Sequence, residues 1–319
     1  STRQTSVRSG CDWNRTRYSG LVGITDRQRV PHAEYGNAMK APTAIVFSDL
    51  DGTLLDHHDY RFDAATPALE ALRAADIPLI LTTSKTLAEV AEINRALDNP
   101  RPVIVENGCA LCFPLDHDYP FQLTAHETID DHAVVRLAAP YALVREFIER
   151  QRAAHDWQFR GFGDMDSAEV AKLTGLDLPA AALARRRLCA EPFLWLDRAE
   201  HFELLLGEAE RAQLCVTSGG RFHHLMGQTS KAEGMRMMRT LFTADGEQPL
   251  TVIALGDSAN DKEMLQNADI AVVIKRPDGS HLAAHGVRQT LQTEQVGPAG
   301  WNAAVLQILH ELGISKPTT

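Results

Sequence analysis

Short apolar runs alternate with amphipathic stretches through the first part of the chain. The runs at 44–47, 77–81 and 103–105 have no polar face, which is typical of strands buried on both sides of a parallel sheet. The stretches at 66–75 and 87–97 place apolar residues three and four positions apart, which predicts helices. This alternation of strands and helices predicts an α/β fold built on a doubly wound parallel sheet.

The alternation stops after residue 120 and returns after residue 225. The segment between has its own pattern, which predicts helices at 139–153, 167–173 and 179–187 and strands at 193–196, 202–206 and 213–217. Beyond it, the pattern predicts strands at 250–255 and 270–274 and a last helix at 303–312. We therefore predict a core formed by residues 41–120 and 226–319, with an α+β domain of residues 121–225 inserted into it.

Polar side chains follow the predicted core strands, and one more opens a predicted helix. The residues after strands are Asp49, Asp51, Thr83, Ser84, Asp257 and Asp261, and the residue at the helix start is Lys231. Because the carboxyl ends of parallel strands meet at one edge of a sheet, we expect these groups to surround one crevice.

Asp49 and Asp51 lie two residues apart, so extended backbone would give their side chains similar directions. At about 4 Å and an effective dielectric constant near 20, two such carboxylates repel each other by roughly 4 kcal/mol. A shared proton or a hard cation would relieve this repulsion, and Mg²⁺ prefers oxygen ligands of this kind. A turn with two solvated aspartates is the simpler interpretation, and the polar groups found downstream count against it.

The whole set of side chains has the chemistry of phosphoryl transfer. One carboxylate can act as a nucleophile and form an aspartyl-phosphate. A second can donate a proton to the leaving oxygen and later accept one from water. A hydroxyl and an ammonium can bind phosphoryl oxygens. Positioning and charge neutralisation are what this reaction mainly requires.

The motifs DLDGT at 49–53, Thr83, Lys231 and GDSAND at 256–261 resemble the four motifs of the haloacid dehalogenase-like hydrolases in order and strand placement. This resemblance implies a Rossmann-like core that carries an inserted cap domain. It also implies a phosphatase that depends on Mg²⁺.

The resemblance implies a role for each residue of the motifs. Asp49 would be the nucleophile and Asp51 the general acid and base. Thr83 would bind the phosphoryl group, with Ser84 as the nearby alternative. Lys231 would bind the phosphoryl group and restrain the Asp49 carboxylate.

The same resemblance implies the metal site. Asp49, the backbone carbonyl of Asp51 and the carboxylate of Asp257 would ligate Mg²⁺. Asp261 and Asn260 would ligate or support the metal from the same loop.

The inserted segment resembles the α/β cap of the sugar-phosphatase branch, and several strings are similar to those of the mannosyl-3-phosphoglycerate phosphatases. These strings are TSKT (83–86), ENG (106–108), RGFGDM (160–165), EPF (191–193), GGRFHHL (219–225) and GWN (300–302). The resemblance covers residues 44–312, with His223 where an aromatic residue is expected. It implies a phosphorylated sugar, mannosyl-3-phosphoglycerate, as the substrate. The substrate-binding residues would be Ser84, Lys85, Asn107, Arg187, Arg221, His224 and Asn260.

Arg187 and Arg221 have a physical basis as well, because guanidinium groups bind carboxylates and phosphates through paired hydrogen bonds. Arg187 also has a simpler interpretation, since it ends a predicted helix, where basic residues interact favourably with the helix dipole. His224 could equally be a core or surface residue, and Asn107 could belong to a plain turn.

Composition narrows the class of partner. The net charge of -10 argues against general binding to nucleic acid. No apolar run approaches the ~20 residues that cross a bilayer, so no membrane partner is expected. Five cysteines without framework spacing indicate a reducing compartment, and we expect a cytoplasmic protein. Cys109 and Cys112 form a lone CxxC that we interpret as structural, and the oligomeric state is left open.

Residues 1–40 differ from the rest of the chain. They are rich in Arg, Ser and Thr and lack hydrophobic periodicity and the apolar core of a secretory signal. The first Met is Met39. We interpret 1–38 as a poorly structured leader, translated from upstream or dispensable, with a transit peptide as the alternative. Its deletion is expected to leave folding and activity intact.

Other functions are compatible with the same motifs. A sugar phosphomutase would return the phosphate to the sugar instead of passing it to water. A protein that only binds a phosphorylated metabolite would be expected to lack Asp49 or Asp51, and both are present. Among phosphatases, the alternative substrates are glucosyl-3-phosphoglycerate, sucrose phosphate and other sugar phosphates.

Overall fold

The computed structural model describes residues 42–121, 123, 126–219, 222–243, 249–283 and 289–314. The predicted leader and Arg221 lie outside these described residues. No helix within them is long and apolar enough to cross a membrane.

The strands of the described residues are numbered in chain order. They are β1 (Ala44–Ser48), β2 (Leu79–Thr82), β3 (Val103–Val105), β4 (Ala110–Pro114), β5 (Glu127–Ile129), β6 (His132–Arg136), β7 (Phe159–Gly161), β8 (Glu191–Trp195), β9 (Leu214–Gly219), β10 (Phe222–Gly227), β11 (Thr251–Gly256), β12 (Ile270–Lys275) and β13 (Gln289–Val296). The α-helices are α1 (Thr66–Ala74), α2 (Leu87–Ala96), α3 (Tyr141–His155), α4 (Ser167–Thr174), α5 (Leu178–Ala184), α6 (Ala199–Arg211), α7 (Lys231–Phe242), α8 (Lys262–Gln266) and α9 (Gly297–Glu311).

The larger sheet has nine strands in the order β13-β12-β11-β1-β2-β3-β4-β6-β5. The strands from β13 to β3 are parallel, whereas β4, β6 and β5 are antiparallel to their neighbours. The predicted α/β class is confirmed, but the sheet is mixed and not wholly parallel. A single short turn joins β3 to β4, and a connection of that length can only reverse the chain direction.

Strand β1 lies in the middle of this sheet and is buried on both faces. Val46 faces α1, α2 and α9, where it packs in one core cluster with Leu72 and Trp301. Phe47 faces the other way and shares a second cluster with Met235 of α7. Because both faces are covered, the carboxyl end of β1 is held rigidly at the sheet edge.

The smaller sheet has four antiparallel strands in the order β7-β8-β10-β9. Phe147 of α3 and Leu205 of α6 pack against one face of this sheet. There they form one cluster with Phe193 of β8 and Leu225 of β10. This sheet and its helices lie within the segment where a cap is predicted. The predicted domain boundaries stay predictions, and β5 and β6, which follow residue 121, pair within the larger sheet.

One predicted element is wrong. Residues 202–206 lie inside helix α6 and do not form a strand. Phe202, Leu205 and Ala209 recur at helical spacing and pack into one cluster, whereas Leu204 between them is exposed. The apolar run was therefore part of a longer amphipathic pattern. Helix α9 also begins earlier than predicted, at the Gly297-Pro298 pair that opens its first turn.

Candidate active site

Strand β1 delivers Asp49 to the carboxyl edge of the larger sheet. The Asp49 backbone N–H donates to the Leu255 carbonyl at 3.0 Å, which ties it to β11. Trp301 donates to the Ser48 hydroxyl at 2.9 Å, and this hydroxyl donates to the Asp49 carbonyl at 2.7 Å. The GWN string therefore supports the Asp49 backbone from behind the sheet and does not line the site.

Gly52 lets the loop after β1 approach the loop after β11. Its φ is +77°, and a Cβ at this position would lie 3.1 Å from Asp257 Oδ2. A side chain here would therefore press on Asp257 and strain the backbone as well. Thr53 lies on the same approach, with its hydroxyl 3.5 Å from Asp257 Oδ1.

Lys231, the first residue of α7, connects the separate loops. Its side chain is 1% exposed, and its Nζ lies 2.6 Å from Asp49 Oδ1 and 2.7 Å from Asp261 Oδ1. Burial alone would lower the pKa of Lys231, but Asp261 and Asp49 raise it above its usual value. The ammonium is therefore charged and restrains the Asp49 carboxylate.

Asp49, Asp257 and Asp261 form an acidic cluster, with one carboxylate oxygen of each within 4.8 Å of the others. Three carboxylates face one ammonium, so the positive charge of Lys231 does not balance the negative charge that the cluster can carry. Burial and Asp261 raise the pKa of Asp49 to about 8, against the opposing effect of Lys231. Burial and Asp261 also raise the pKa of Asp257 to about 6.

This donor set suits a hard divalent cation, because it offers carboxylate oxygens that repel one another. Both oxygens of Asp261 already accept hydrogen bonds, one from Lys231 and the other from the Asp257 and Ser258 backbone N–H groups. The carboxylates with free oxygens are therefore those of Asp49 and Asp257. Asp261 holds the loop that carries Asp257.

The loop after β2 brings a hydroxyl and a second ammonium to the same edge. Thr83 is buried, and its Oγ1 accepts the Lys85 backbone N–H at 3.2 Å. Lys85 Nζ lies 3.0 Å from Asp51 Oδ1. Burial lowers the pKa of Lys85, but Asp51 and Glu89 more than reverse this effect and leave it raised.

Asn107 lies between the loop after β2 and the loop after β11. Its backbone N–H donates to the Thr83 carbonyl at 2.8 Å, and its Oδ1 accepts from Asn260 Nδ2 at 3.0 Å. Its Nδ2 is buried and has no hydrogen-bond partner among the described residues. An unpaired buried amide is unfavourable, so this donor is available for a ligand oxygen.

A cavity of about 220 Å³ separates the catalytic loops from the smaller sheet. Its lining includes the charged or polar residues Asp51, Ser84, Lys85, Arg187 and His224 and the aromatic residues Phe162 and Phe222. The two sheets therefore enclose a chamber whose lining combines charged groups from both sides with aromatic rings.

Arg187 and His224 are both buried in this chamber. Arg187 donates from Nε to the Ala190 carbonyl at 2.9 Å and from Nη2 to the Ser84 carbonyl at 3.2 Å. Burial, and then Arg187 and Lys231, lower the pKa of His224 to about 3, so its imidazole is neutral. The Nδ1 atom of His224 has no partner within the described part of the chain.

Arg221 lies outside the described residues. The structure places the other expected site residues around the chamber and the acidic cluster beneath it. The sequence reasoning missed Phe162 and Phe222 in the chamber wall. Phe222 stands two residues before His224, so their shared strand face was a usable signal. His57 is exposed and also lines the chamber.

Comparisons with known proteins match most of this chain to one group of enzymes. Residues 46–141 and 199–283 match the profile of a family described as haloacid dehalogenase-like hydrolase. A glucosyl-3-phosphoglycerate/mannosyl-3-phosphoglycerate phosphatase of Methanococcoides burtonii is 36% identical over 265 residues, which are 83% of this chain and 97% of the relative. A phosphatase of the same description from Persephonella marina is 36% identical over 270 residues, which are 84% of this chain and 98% of the relative.

A solved structure agrees with the fold. It is a phosphatase of the haloalkanoate enzyme superfamily from Bacteroides thetaiotaomicron, which superposes with a TM-score of 0.57 at 17% identity and covers 89% of this chain and 100% of its own.

Proposed function

This chain belongs to the haloacid dehalogenase-like hydrolases, and on that premise we propose that it hydrolyses the phosphate ester of mannosyl-3-phosphoglycerate or of its glucosyl counterpart. The observation that carries the proposal is the contact of Lys231 with both Asp49 and Asp261, beside Asp257, under a chamber with cationic groups. The names of the two relatives support the choice of substrate. The products would be the glycosylated glycerate and inorganic phosphate.

The proposed reaction has two steps. In the first, an Asp49 carboxylate oxygen attacks phosphorus, the bond from phosphorus to the glycerate oxygen breaks, and Asp51 gives that oxygen a proton. In the second, water attacks phosphorus, Asp51 takes a proton from it, and the bond to Asp49 breaks with release of phosphate. Lys231 holds Asp49 in line for both steps.

Mg²⁺ is the proposed cofactor. It would be held by the free carboxylate oxygens of Asp49 and Asp257, together with the backbone carbonyl of Asp51. The excess of negative charge at these residues supports the assignment. When bound, the ion neutralises charge on the phosphoryl oxygens.

The remaining polar groups are proposed to bind the substrate. Thr83 and the unpaired Asn107 amide would donate to phosphoryl oxygens. Lys85 and Arg187 would bind the glycerate carboxylate, and the neutral His224 would hydrogen-bond a hydroxyl of the sugar. Lys85 lines the chamber, with its Nζ 3.0 Å from Asp51 Oδ1, and this position supports its assignment.

The substrate proposal is tested with purified protein and a panel of phosphate esters. We expect kcat/KM for mannosyl- and glucosyl-3-phosphoglycerate to exceed that for sucrose phosphate and simple hexose phosphates roughly 100-fold, because only the former offer a carboxylate to Lys85 and Arg187. Release of inorganic phosphate without an isomeric ester separates hydrolysis from a phosphomutase reaction. Equal rates across the panel would overturn the proposed substrate.

The metal assignment is tested with Asp257→Asn. Because this substitution replaces a charged carboxylate ligand with a neutral amide, we expect weaker binding of the metal. The Mg²⁺ concentration for half-maximal activity should rise at least about tenfold. The matched control is Asp278→Asn, at an exposed loop residue, and its Mg²⁺ titration should follow that of the unmodified protein. An unchanged titration in Asp257→Asn would remove this residue from the metal site.

We also propose a cytoplasmic location, with a small phosphorylated sugar as the partner and no role for nucleic acid. The four described cysteines are free thiols, which supports a reducing compartment.

A further inference from the structure

The turn between β3 and β4 has an unusual backbone. Glu106, Asn107 and Gly108 have φ values of +52°, +60° and +93°, so three successive residues adopt the left-handed conformation. For each of the two residues that carry a side chain, this conformation costs roughly 1–2 kcal/mol. Such a turn is stable only if other contacts offset this cost. Those contacts therefore indicate the function of the turn.

The Glu106 side chain binds backbone on the cap side of the chamber. It is fully buried, and its carboxylate accepts the N–H groups of three successive residues. These are Leu188 at 2.7 Å, Cys189 at 2.9 Å and Ala190 at 2.7 Å. Charged hydrogen bonds of this kind are stronger than neutral ones, so residues 188–190 are held firmly against β3.

The backbone of the same turn contacts the catalytic loops. The Glu106 N–H donates to the Lys85 carbonyl at 3.0 Å. A Cβ on Gly108 would lie 2.0 Å from the carbonyl oxygen of Ser230, directly before Lys231, so the turn packs closely on the start of α7. With the bonds of Asn107 to the loops after β2 and β11, one turn contacts three catalytic loops and the cap.

Arg187 immediately precedes the three residues that Glu106 holds. Its Nε donates to Ala190 within that segment, and it lies 3.7 Å from Glu106 Oε2. Its Nη2 reaches across to Ser84. The place of the guanidinium in the chamber therefore depends on where the 188–190 backbone is anchored.

We propose that Glu106 is a positioning residue that holds the Arg187 guanidinium at a fixed distance from Asp49. A substrate whose phosphate lies at Asp49 can then place its carboxylate against Arg187. This inference rests on the proposed function. Glu106 itself touches no reacting atom. It acts through the backbone N–H groups of 188–190 and hence through Arg187.

The chain offers a matched control in Glu191. This carboxylate is equally buried, and it binds Tyr141, Arg145 and the Gly163 N–H, which all lie on the cap side. Replacing it removes the same charge from a comparable environment without touching the link to β3. Its effect therefore measures the loss of a buried carboxylate as such.

The test is a double-mutant cycle of Glu106→Gln and Arg187→Met, followed by steady-state kinetics. It uses the panel ester with the highest kcat/KM and, in parallel, p-nitrophenyl phosphate, which lacks a carboxylate and a sugar. In Glu106→Gln we expect KM for the preferred ester to rise roughly 10- to 100-fold, with kcat and the p-nitrophenyl phosphate kinetics changed less than about threefold. We expect Arg187→Met to raise KM for the preferred ester by a similar factor, and the double variant to be no worse than Arg187→Met alone.

Three results would overturn the proposal: an unchanged KM in folded Glu106→Gln, effects that add in the double variant, or equal losses on both esters. Glu191→Gln should lower the melting temperature but change KM less than about threefold. The coupling of Glu106 to Arg187 is measured on whichever ester is preferred. A wrong proposed substrate and a wrong assignment of Glu106 therefore give different results.

Discussion

Asparagine in place of Asp49 is expected to reduce turnover at least about 10⁴-fold, because an amide cannot attack phosphorus and no aspartyl-phosphate can form. Both oxygens of Asp261 accept hydrogen bonds, and Asp51 is paired with Lys85. Asp257 is assigned to the metal, so we expect none of these carboxylates to take over. The measurement is phosphate release under saturating substrate and Mg²⁺.

The same variant should fold at least as stably as the original protein. The pKa of Asp49 is raised to about 8, which means that its charged form is unfavourable in the metal-free fold. Removing that charge leaves Lys231 paired with Asp261 and relieves repulsion. We therefore expect an unchanged or higher melting temperature in the absence of Mg²⁺, together with the loss of activity.

Asp98→Asn is the control for this substitution, because Asp98 is an exposed aspartate far from the motifs. It should change neither activity nor melting temperature. A mass increase by one phosphoryl group, trapped by acid quench, should be seen in the original protein and be absent in Asp49→Asn. Phosphate release near the normal rate by Asp49→Asn would exclude this residue as the nucleophile.

Methionine in place of Lys231 is the second change with a large expected effect. Turnover should fall at least about 10³-fold, because Asp49 loses its restraint and the phosphoryl group loses a positive charge. The fold should lose about 3–5 kcal/mol of unfolding free energy, since buried carboxylates would stand without their cation. The two losses are measured by phosphate release and by urea unfolding in EDTA.

The stability loss in Lys231→Met should depend on pH in a defined direction. A carboxyl whose folded pKa is raised destabilises the fold above its unfolded pKa, and this penalty disappears as pH falls to that value. Asp49 and Asp257 have raised pKa values of about 8 and about 6 even with Lys231 present, and the substitution should raise that of Asp49 further. The deficit should therefore be larger at pH 8 than at pH 5.

Lys262→Met is the matched control, at an exposed lysine on α8. It should change the unfolding free energy by less than about 0.5 kcal/mol and leave activity normal. A Lys231→Met protein with the stability and turnover of this control would contradict the central place given to Lys231 in the site.

Much of the site could be predicted because it depends on local patterns. The buried run of β1 and the doublet at 49 and 51 already placed two carboxylates at a strand end. The rule that parallel strands end at one edge then brought Asp257 to Asp49 from far along the chain. The strand predicted at 202–206 was wrong because a short apolar run alone does not distinguish a strand from a helix.

Other features depend on contacts that no local pattern records. Strands β4 to β6 extend the larger sheet antiparallel, which depends on the reversal after β3. The role proposed for Glu106 depends on three N–H partners that lie more than eighty positions away in the chain, on the other side of the chamber. The strings 160–165 and 191–193 likewise proved to hold the cap together through the Glu191 carboxylate.

The sequence by itself determined which reactive groups this protein places at the ends of its core strands, because residue type and strand-end position depend on short stretches of chain. It also determined the α/β class and the convergence of the acidic and basic groups. Only the tertiary structure decided which oxygens remain free for a cation, which amide and imidazole have no partner among the residues that it describes, and which carboxylate links the cap to the core. These properties are set by distances of a few ångströms between segments whose separation along the chain carries no information about their packing.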